Sequence, residues 1–325
     1  MTDPDGPVLV LSAPEDAAAD LVEARLKARE VPVVRLDTGD FPTQMRLDAR
    51  NHDGRWTGTL STASTSVELD QVRSVYYRRP TRFRLPPGLA GGDTAFALTE
   101  AKLGVGGVLA SLPVTWVNHP ARMAHAEYKP LQLAVAEQLG LAVPRTLVTN
   151  DVDAARAFAT AVGAPIVCKT FSSLLLDDGD GTVTSVFTTT VDPTEIDRDQ
   201  LAATAHLFQE RVPKAHDARV TMVGDTAFAV AVHTDTDAGR EDWRADYRNL
   251  RYQPITAPDE VRLAMSAYLD HFGLRYGAFD FVVEPSGTWR FLECNPNGQW
   301  LWLEDEADQP IAAALAAVLA GTESR

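Results

Sequence analysis

Ala278-Phe279-Asp280-Phe281-Val282-Val283-Glu284 is followed by Pro285-Ser286-Gly287 and, from Trp289, by Trp289-Arg290-Phe291-Leu292-Glu293-Cys294-Asn295-Pro296-Asn297-Gly298. Two apolar runs around a short Pro-Ser-Gly break predict a β-hairpin. Asp280, Glu293 and Asn295 stand toward its open end. Side chains alternate along a strand, so Glu293 and Asn295, two apart, share a face. A two-residue or four-residue turn puts Asp280 on that face as well, across the ladder from Glu293. Two carboxylates and an amide oxygen gathered in this way repel one another unless a hard cation lies between them. Mg²⁺ suits such a sparse oxygen set, with its other positions left to water and phosphate. The strands are too apolar, with Phe279, Phe281, Val282, Phe291 and Leu292, to be a decorated surface hairpin.

The rest of the composition sets limits on what such a site can serve. At 325 residues the chain has room for two or three domains. Its 45% hydrophobic and 23% charged residues describe a globular protein. A formal charge of −15 argues against a nucleic-acid partner, while nucleotide phosphates need only locally gathered cations. The two cysteines, Cys168 and Cys294, lie in apolar runs and read as buried thiols in a reducing compartment. Met-Thr-Asp-Pro-Asp-Gly at the start is not a signal peptide, and no apolar run approaches the ~20 residues of a membrane span. A cytoplasmic protein is expected, with no membrane partner; self-association is left open.

The N-terminal third alternates strand and helix. Residues 8–11 form a buried strand, 13–30 a helix and 31–36 a second strand, the start of a parallel, Rossmann-like sheet. Ser12-Ala13-Pro14-Glu15-Asp16 lacks the glycines of a dinucleotide loop, which disfavours a nicotinamide or flavin site. Strands are expected at 44–47, 55–60 and 72–79, a loop at 82–93, a helix at 95–111 and a strand at 114–117. Gly104, Gly106 and Gly107 fall within that helix and suggest close helix packing. Arg78 and Arg79 end a strand, where they could face an anion or simply be surface charges.

Further on, a helix is expected over 127–139 with Lys129 at its N-terminus, because Pro130 is tolerated only in the first turn and Gly140 is a natural stop. Lys169 closes the apolar strand 165–170, a costly place for a charge unless an anion meets it. Residues 171–184, with Ser172, Ser173 and Gly-Asp-Gly at 179–181, suggest a mobile flap. Strands at 218–223 and 226–233 form a hairpin, and a helix over 258–272 precedes the acidic one. His52, His125, His206, His216, His233 and His271 lack metal-ligand spacing and read as surface or core residues.

Two lysines, a Glu-x-Val hinge, an Arg, an Asp and a Glu-x-Asn, in this order over residues ~118–320, resemble the ATP-grasp fold. The resemblance implies ATP held between two α+β subdomains and carboxylate activation as an acyl phosphate. It places Lys129 and Lys169 on the α- and β-phosphates, Glu210 and the backbone of Val212 at the adenine, and Asp217 at the ribose. It sets Arg219 and Arg244 near the γ-phosphate and acyl phosphate, and Asp280, Glu293 and Asn295 on Mg²⁺. Val75-Tyr76-Tyr77-Arg78-Arg79-Pro80, Asn118-His119-Pro120, Lys129 with Gln132-Leu133, and Asp217-Ala218-Arg219 resemble, more narrowly, the graspetide (microviridin-type) peptide maturases. That likeness implies a Rossmann-like pre-ATP-grasp domain at 1–117, a central subdomain at 118–200 and a C-terminal one at 201–325. It also implies a ribosomal precursor peptide, leader plus core, whose Asp or Glu side chains are phosphorylated and closed into ω-ester or ω-amide rings with Ser, Thr or Lys. Asp217 and Arg219 would then help hold the core peptide. Phe171-Ser172-Ser173-Leu174 departs from the glycine-rich flap of the fold. The same site could instead belong to a ligase joining an amino acid to a protein or small acid, or to a non-catalytic ATP- or peptide-binding module.

Overall fold

Four buried apolar residues in a row need cover on both faces, and Val8–Ser12 (β1) obtains it as an inner strand of a parallel sheet. The computed structural model describes residues 5–171, 175–177, 183–185 and 187–322. β1 pairs with Val33–Leu36 (β2) on one side. After a three-stranded excursion, Arg46–His52 (β3), Arg55–Ser61 (β4) and Ser66–Glu68 (β5), the chain returns as Ser74–Arg79 (β6) on the other side of β1. Thr115–Val117 (β7) completes the order β2-β1-β6-β7. Ala17–Lys27 (α1), capped by Asp16, begins four residues later than its periodicity predicts. Gly91–Ala110 (α2) carries Gly104, Gly106 and Gly107, but a Cβ at any of them would meet nothing within 4 Å. Those glycines therefore do not serve close helix packing.

The helix expected over 127–139 is present as Lys129–Gln138, and a further short helix, not expected from the sequence, precedes it. Pro120–Ala126 (α3), capped by His119, is separate from Lys129–Gln138 (α4), which starts on Lys129 itself. Thr146–Thr149 (β8), the helix Val152–Val162 (α5) and Ile166–Lys169 (β9) follow. The flap expected over 171–184 lies largely outside the described residues, Ser172, Ser173 and 179–181 included. Within it the backbone of Leu175–Asp177 (β10) pairs antiparallel with Val183–Ser185 (β11). Thr189–Val191 (β12), Arg198–Ala202 (α6) and His206–Glu210 (β13) close a sheet of order β12-β9-β13-β8. β13 thus hydrogen-bonds within the central sheet, although it follows the boundary expected at 200.

The C-terminal sheet is antiparallel: His216–Val223 (β14), Thr226–Thr234 (β15), Leu250–Ile255 (β16), Tyr276–Val283 (β17) and Trp289–Asn295 (β18), in the order β16-β15-β14-β17-β18. Asp237–Glu241 (α7) lies between β15 and β16. One face of the sheet packs on α4 and on Asp259–Phe272 (α8), burying Phe279, Phe281, Phe291 and Tyr268 in one core. The last helices, Leu301–Ala307 (α9) and Ile311–Ala320 (α10), return to the N-terminal sheet. Leu315 and Leu319 share a core with Val8, Val10 and Val22, and Ser74 Oγ donates to the Leu319 carbonyl at 2.7 Å.

Candidate active site

Cross-strand register assembles the centre. Arg219 on β14 is the direct partner of Asp280 on β17, and Asp280 is the direct partner of Glu293 on β18. The expected pairing across the hairpin holds, by a different route. Val283 pairs with Trp289 around a five-residue loop, which alone would set Asp280 opposite Leu292. A bulge after Asp280 takes up Leu292 as an extra residue and brings Glu293 level with Asp280. Asn295 lies two residues beyond Glu293 on the same strand. It is exposed, and its Oδ1 accepts from the Asn297 N–H at 2.9 Å.

Cations enclose the carboxylates. Arg219 Nη1 meets Asp280 Oδ1 at 2.8 Å, and Arg219 Nη2 donates to the Gln299 carbonyl at 3.1 Å. Arg244 Nη2 donates to Asp280 Oδ2 and, at 3.2 Å, to Glu293 Oε1. Lys129 Nζ reaches Glu293 Oε2 at 3.1 Å and the Thr170 carbonyl at 2.6 Å. Burial would raise the Glu293 carboxyl, but Lys129, Arg244 and Lys169 more than reverse this and hold it well below the usual carboxylate range. Burial lowers the Lys169 ammonium; Glu293 opposes that shift and Lys129 and Arg244 add to it. An ammonium so short of solvation favours a phosphate as partner.

Two cavities meet at this wall. A cleft of about 620 Å³ lies between the central and C-terminal sheets, lined by Val167, Lys169, Glu210, Val212, Asp217, Arg244, Asp280 and Glu293 among others. Glu210 receives Arg145 Nε at 2.8 Å. Asp217 is buried, which raises its carboxyl, and Lys214 at 2.9 Å counters that. A second cavity of about 880 Å³ adjoins Lys129, Arg219, Asn295, Gln299 and the aromatic side chains of Phe171, Phe187, Trp243, Tyr247 and Trp302. It shares Lys169, Arg244, Asp280 and Glu293 with the first. All ten residues expected from the sequence therefore line one cavity or the other. Lys129, Arg219 and Asn295 open onto the second only.

Other participants lie outside the ten expected site residues, although Arg78, Asn118 and Gln132 stand in the motifs that carry the family resemblance. Asp242 is buried; its Oδ1 accepts from the Arg244 N–H at 3.1 Å and its Oδ2 from the Thr188 N–H at 3.3 Å. The Gln132 amide donates to the Cys294 carbonyl and accepts from the Cys294 N–H, both at 2.9 Å, so it continues the ladder at β18 between Glu293 and Asn295. Asn118 does the same for Tyr276 on β17 and also donates to the Pro296 carbonyl at 2.8 Å. Of the strand-end arginines, Arg78 fits neither expected reading, while Arg79 remains open to both. Arg78 is buried and bonded to Asn297 and Gln299, whereas Arg79 is exposed and lines the second cavity. His216 and His233, expected on the surface or in a core, line the first cleft with ring centroids 5.2 Å apart. Among the described residues no three His, Cys, Asp or Glu side chains gather to hold a metal. The oxygen set for a hard cation is two opposed carboxylates with an amide beyond, and it fits one that keeps water or phosphate ligands.

Comparison with known proteins gives the same picture. The family model of the MvdD pre-ATP-grasp domain matches residues 7–124. A RiPP-associated ATP-grasp ligase of Chryseobacterium gregarium, in complex with ADP and a leader and core peptide, superposes with a TM-score of 0.90 at 25% identity, covering 98% of each chain. The macrocyclase MdnC of Microcystis aeruginosa MRC, bound with precursor peptide MdnA, has a TM-score of 0.83 at 31% identity, over 97% of this chain and 99% of that one. The ATP-grasp ligase PsnB, complexed with minimal precursor, Mg and ADP, has a TM-score of 0.76 at 25% identity over 99% of both. Curated protein sequences gave no match.

Proposed function

The chain belongs to the graspetide-type ATP-grasp peptide maturases, and we propose that it is an ATP- and Mg²⁺-dependent macrocyclase of a ribosomal precursor peptide. The observation that carries this reading is the Arg219–Asp280–Glu293 row at the junction of two cavities. One cavity suits the nucleotide and the other a peptide. A side-chain carboxylate of the peptide attacks the γ-phosphorus of ATP, ADP leaves, and an acyl phosphate results. A Ser or Thr hydroxyl, or a Lys amine, then attacks the acyl carbon and inorganic phosphate leaves, closing an ω-ester or ω-amide.

Each residue has a part in this. Lys169 faces the nucleotide phosphates, and Lys129 holds Glu293 while adding positive charge to the peptide side. Glu210 and the Val212 backbone serve the base, and Asp217 the ribose. Asp280, Glu293 and Asn295 would hold Mg²⁺, which when bound neutralises charge on the transferring phosphoryl group. Arg244, on both cavities, is placed to grip the entering carboxylate, which a planar fork can do with two parallel bonds. Arg219, buried against Asp280 at the wall of the second cavity, aims that carboxylate and keeps its expected place with Arg244 near the acyl phosphate. Cys168 and Cys294 are both free, in keeping with work in the cytoplasm, and no described helix is long and apolar enough to cross a membrane. The test is nucleotide stoichiometry: with a precursor peptide, ADP and phosphate should form. AMP and pyrophosphate would overturn the acyl-phosphate route.

A further inference from the structure

Every carboxylate oxygen of Asp280 and Glu293 receives a cationic donor. The outer oxygens take Arg219 and Lys129, each also anchored to a backbone carbonyl, of Gln299 and Thr170 respectively. The two inner oxygens, Asp280 Oδ2 and Glu293 Oε1, take one and the same nitrogen, Arg244 Nη2. That nitrogen stands where a cation shared by the two carboxylates would stand. Arg244 is also held differently from the other two cations. It sits in a short turn on Asp242, with its guanidinium 4.7 Å from the centre of the Trp243 ring, and it borders both cavities. Opposed carboxylates need a compensating charge in the absence of metal, and one gap cannot hold two cations.

We infer that Arg244 is an exchangeable internal counter-ion. It closes the Asp280–Glu293 gap before the metal–nucleotide complex is loaded, and on loading its guanidinium moves to the second cavity, where the carboxylate to be phosphorylated enters. Asp242 and Trp243 are positioning residues that keep it tethered through the exchange. Nucleotide loading and readiness for the peptide carboxylate are thereby one event. The inference rests on the metal site proposed above.

Competition of this kind lowers the affinity of the wild-type site for free metal. The test is a Mg²⁺ titration of the full chain by calorimetry, without peptide, with and without ADP. Arg244→Gln should bind Mg²⁺ at least tenfold more tightly than wild type without ADP, and gain more thermal stability from it. Arg244→Lys, whose single ammonium cannot span both carboxylates as firmly, should shift in the same direction by less. Adding Asp280→Asn to Arg244→Gln should erase the gain. Equal or weaker Mg²⁺ binding by both Arg244 variants would overturn the exchange and, if Asp280→Asn still removes binding, leave the metal site standing. A gain that survives Asp280→Asn, or no binding in any form even with ADP, would overturn both.

Discussion

Glu293→Gln keeps the shape of the side chain and removes its charge, and its cost can be read from what Glu293 touches. Its oxygens compensate Lys129 at 3.1 Å and Arg244 at 3.2 Å, with Lys169 close enough to help depress the carboxyl. Removing one member of a buried ion pair costs about 3–5 kcal/mol. Here the side chain is 22% exposed, Arg244 retains Asp280 and Asp242, and Lys129 retains the Thr170 carbonyl. A loss of about 2 kcal/mol of stability is therefore expected. The sequence alone suggests little loss of fold, because the apolar strands are untouched; the ion network changes that expectation. The pH dependence has a definite sign. The folded carboxyl titrates below the unfolded one, so its stabilisation is complete above the unfolded value, about 4.3, and is lost as pH falls toward the folded one. Denaturant unfolding of wild type and Glu293→Gln should differ most near pH 7 and converge in acid. Turnover, followed as peptide-dependent ADP release, should fall well beyond tenfold, since a lost metal-bridging carboxylate removes several kcal/mol of transition-state stabilisation. Retention of more than about a tenth of the wild-type rate, roughly 1.4 kcal/mol, would refute the metal-ligand role.

Three further substitutions separate the roles. Lys169→Ala should weaken ADP–Mg²⁺ binding at least tenfold by calorimetry, and unchanged affinity would remove Lys169 from the phosphate site. Arg219→Lys cannot bond both Asp280 and the Gln299 carbonyl as the fork does, so ring formation should drop more than ADP affinity; normal ring formation would end its role in aiming Asp280. Gln132→Ala strips the hydrogen bonds from the Cys294 backbone on a buried strand and should cost about 2–3 kcal/mol in denaturant unfolding, with a change below 0.5 kcal/mol counting against the ladder role.

The acidic hairpin was legible because alternation along a strand is a short-range property, and so Asp280, Glu293 and Asn295 could be grouped from spacing alone. The bulge that sets their register was not, because it depends on which residues of the loop pair, and both possible pairings leave the same apolar pattern. Lys129 could be placed from Pro130, since proline is admitted to a helix only in its first turn. The short helix α3 is not marked in the same way: its His119 cap and Pro120 start fall at the expected domain boundary, and seven residues are too few to show a helical period. The expectation of close packing at Gly104, Gly106 and Gly107 fails because a glycine in a helix gives permission for close packing, not the presence of a neighbour. Asp242 and Gln299 act through hydrogen bonds to residues far along the chain, and nothing local in the sequence marks them; Asn118 and Gln132 stand in motifs that carry the family resemblance, but their bonds to β17 and β18 are equally long-range.

The most direct measurement is the mass of a short, Ser/Thr- and Asp/Glu-rich candidate precursor peptide, sought beside the gene, after co-expression with this chain. Loss of one water per ring, abolished by Glu293→Gln and resistant to further amine labelling only where Lys supplies the nucleophile, is the expected result. An unchanged mass with a competent precursor, or a mass increased by an added amino acid, would contradict side-chain macrocyclisation.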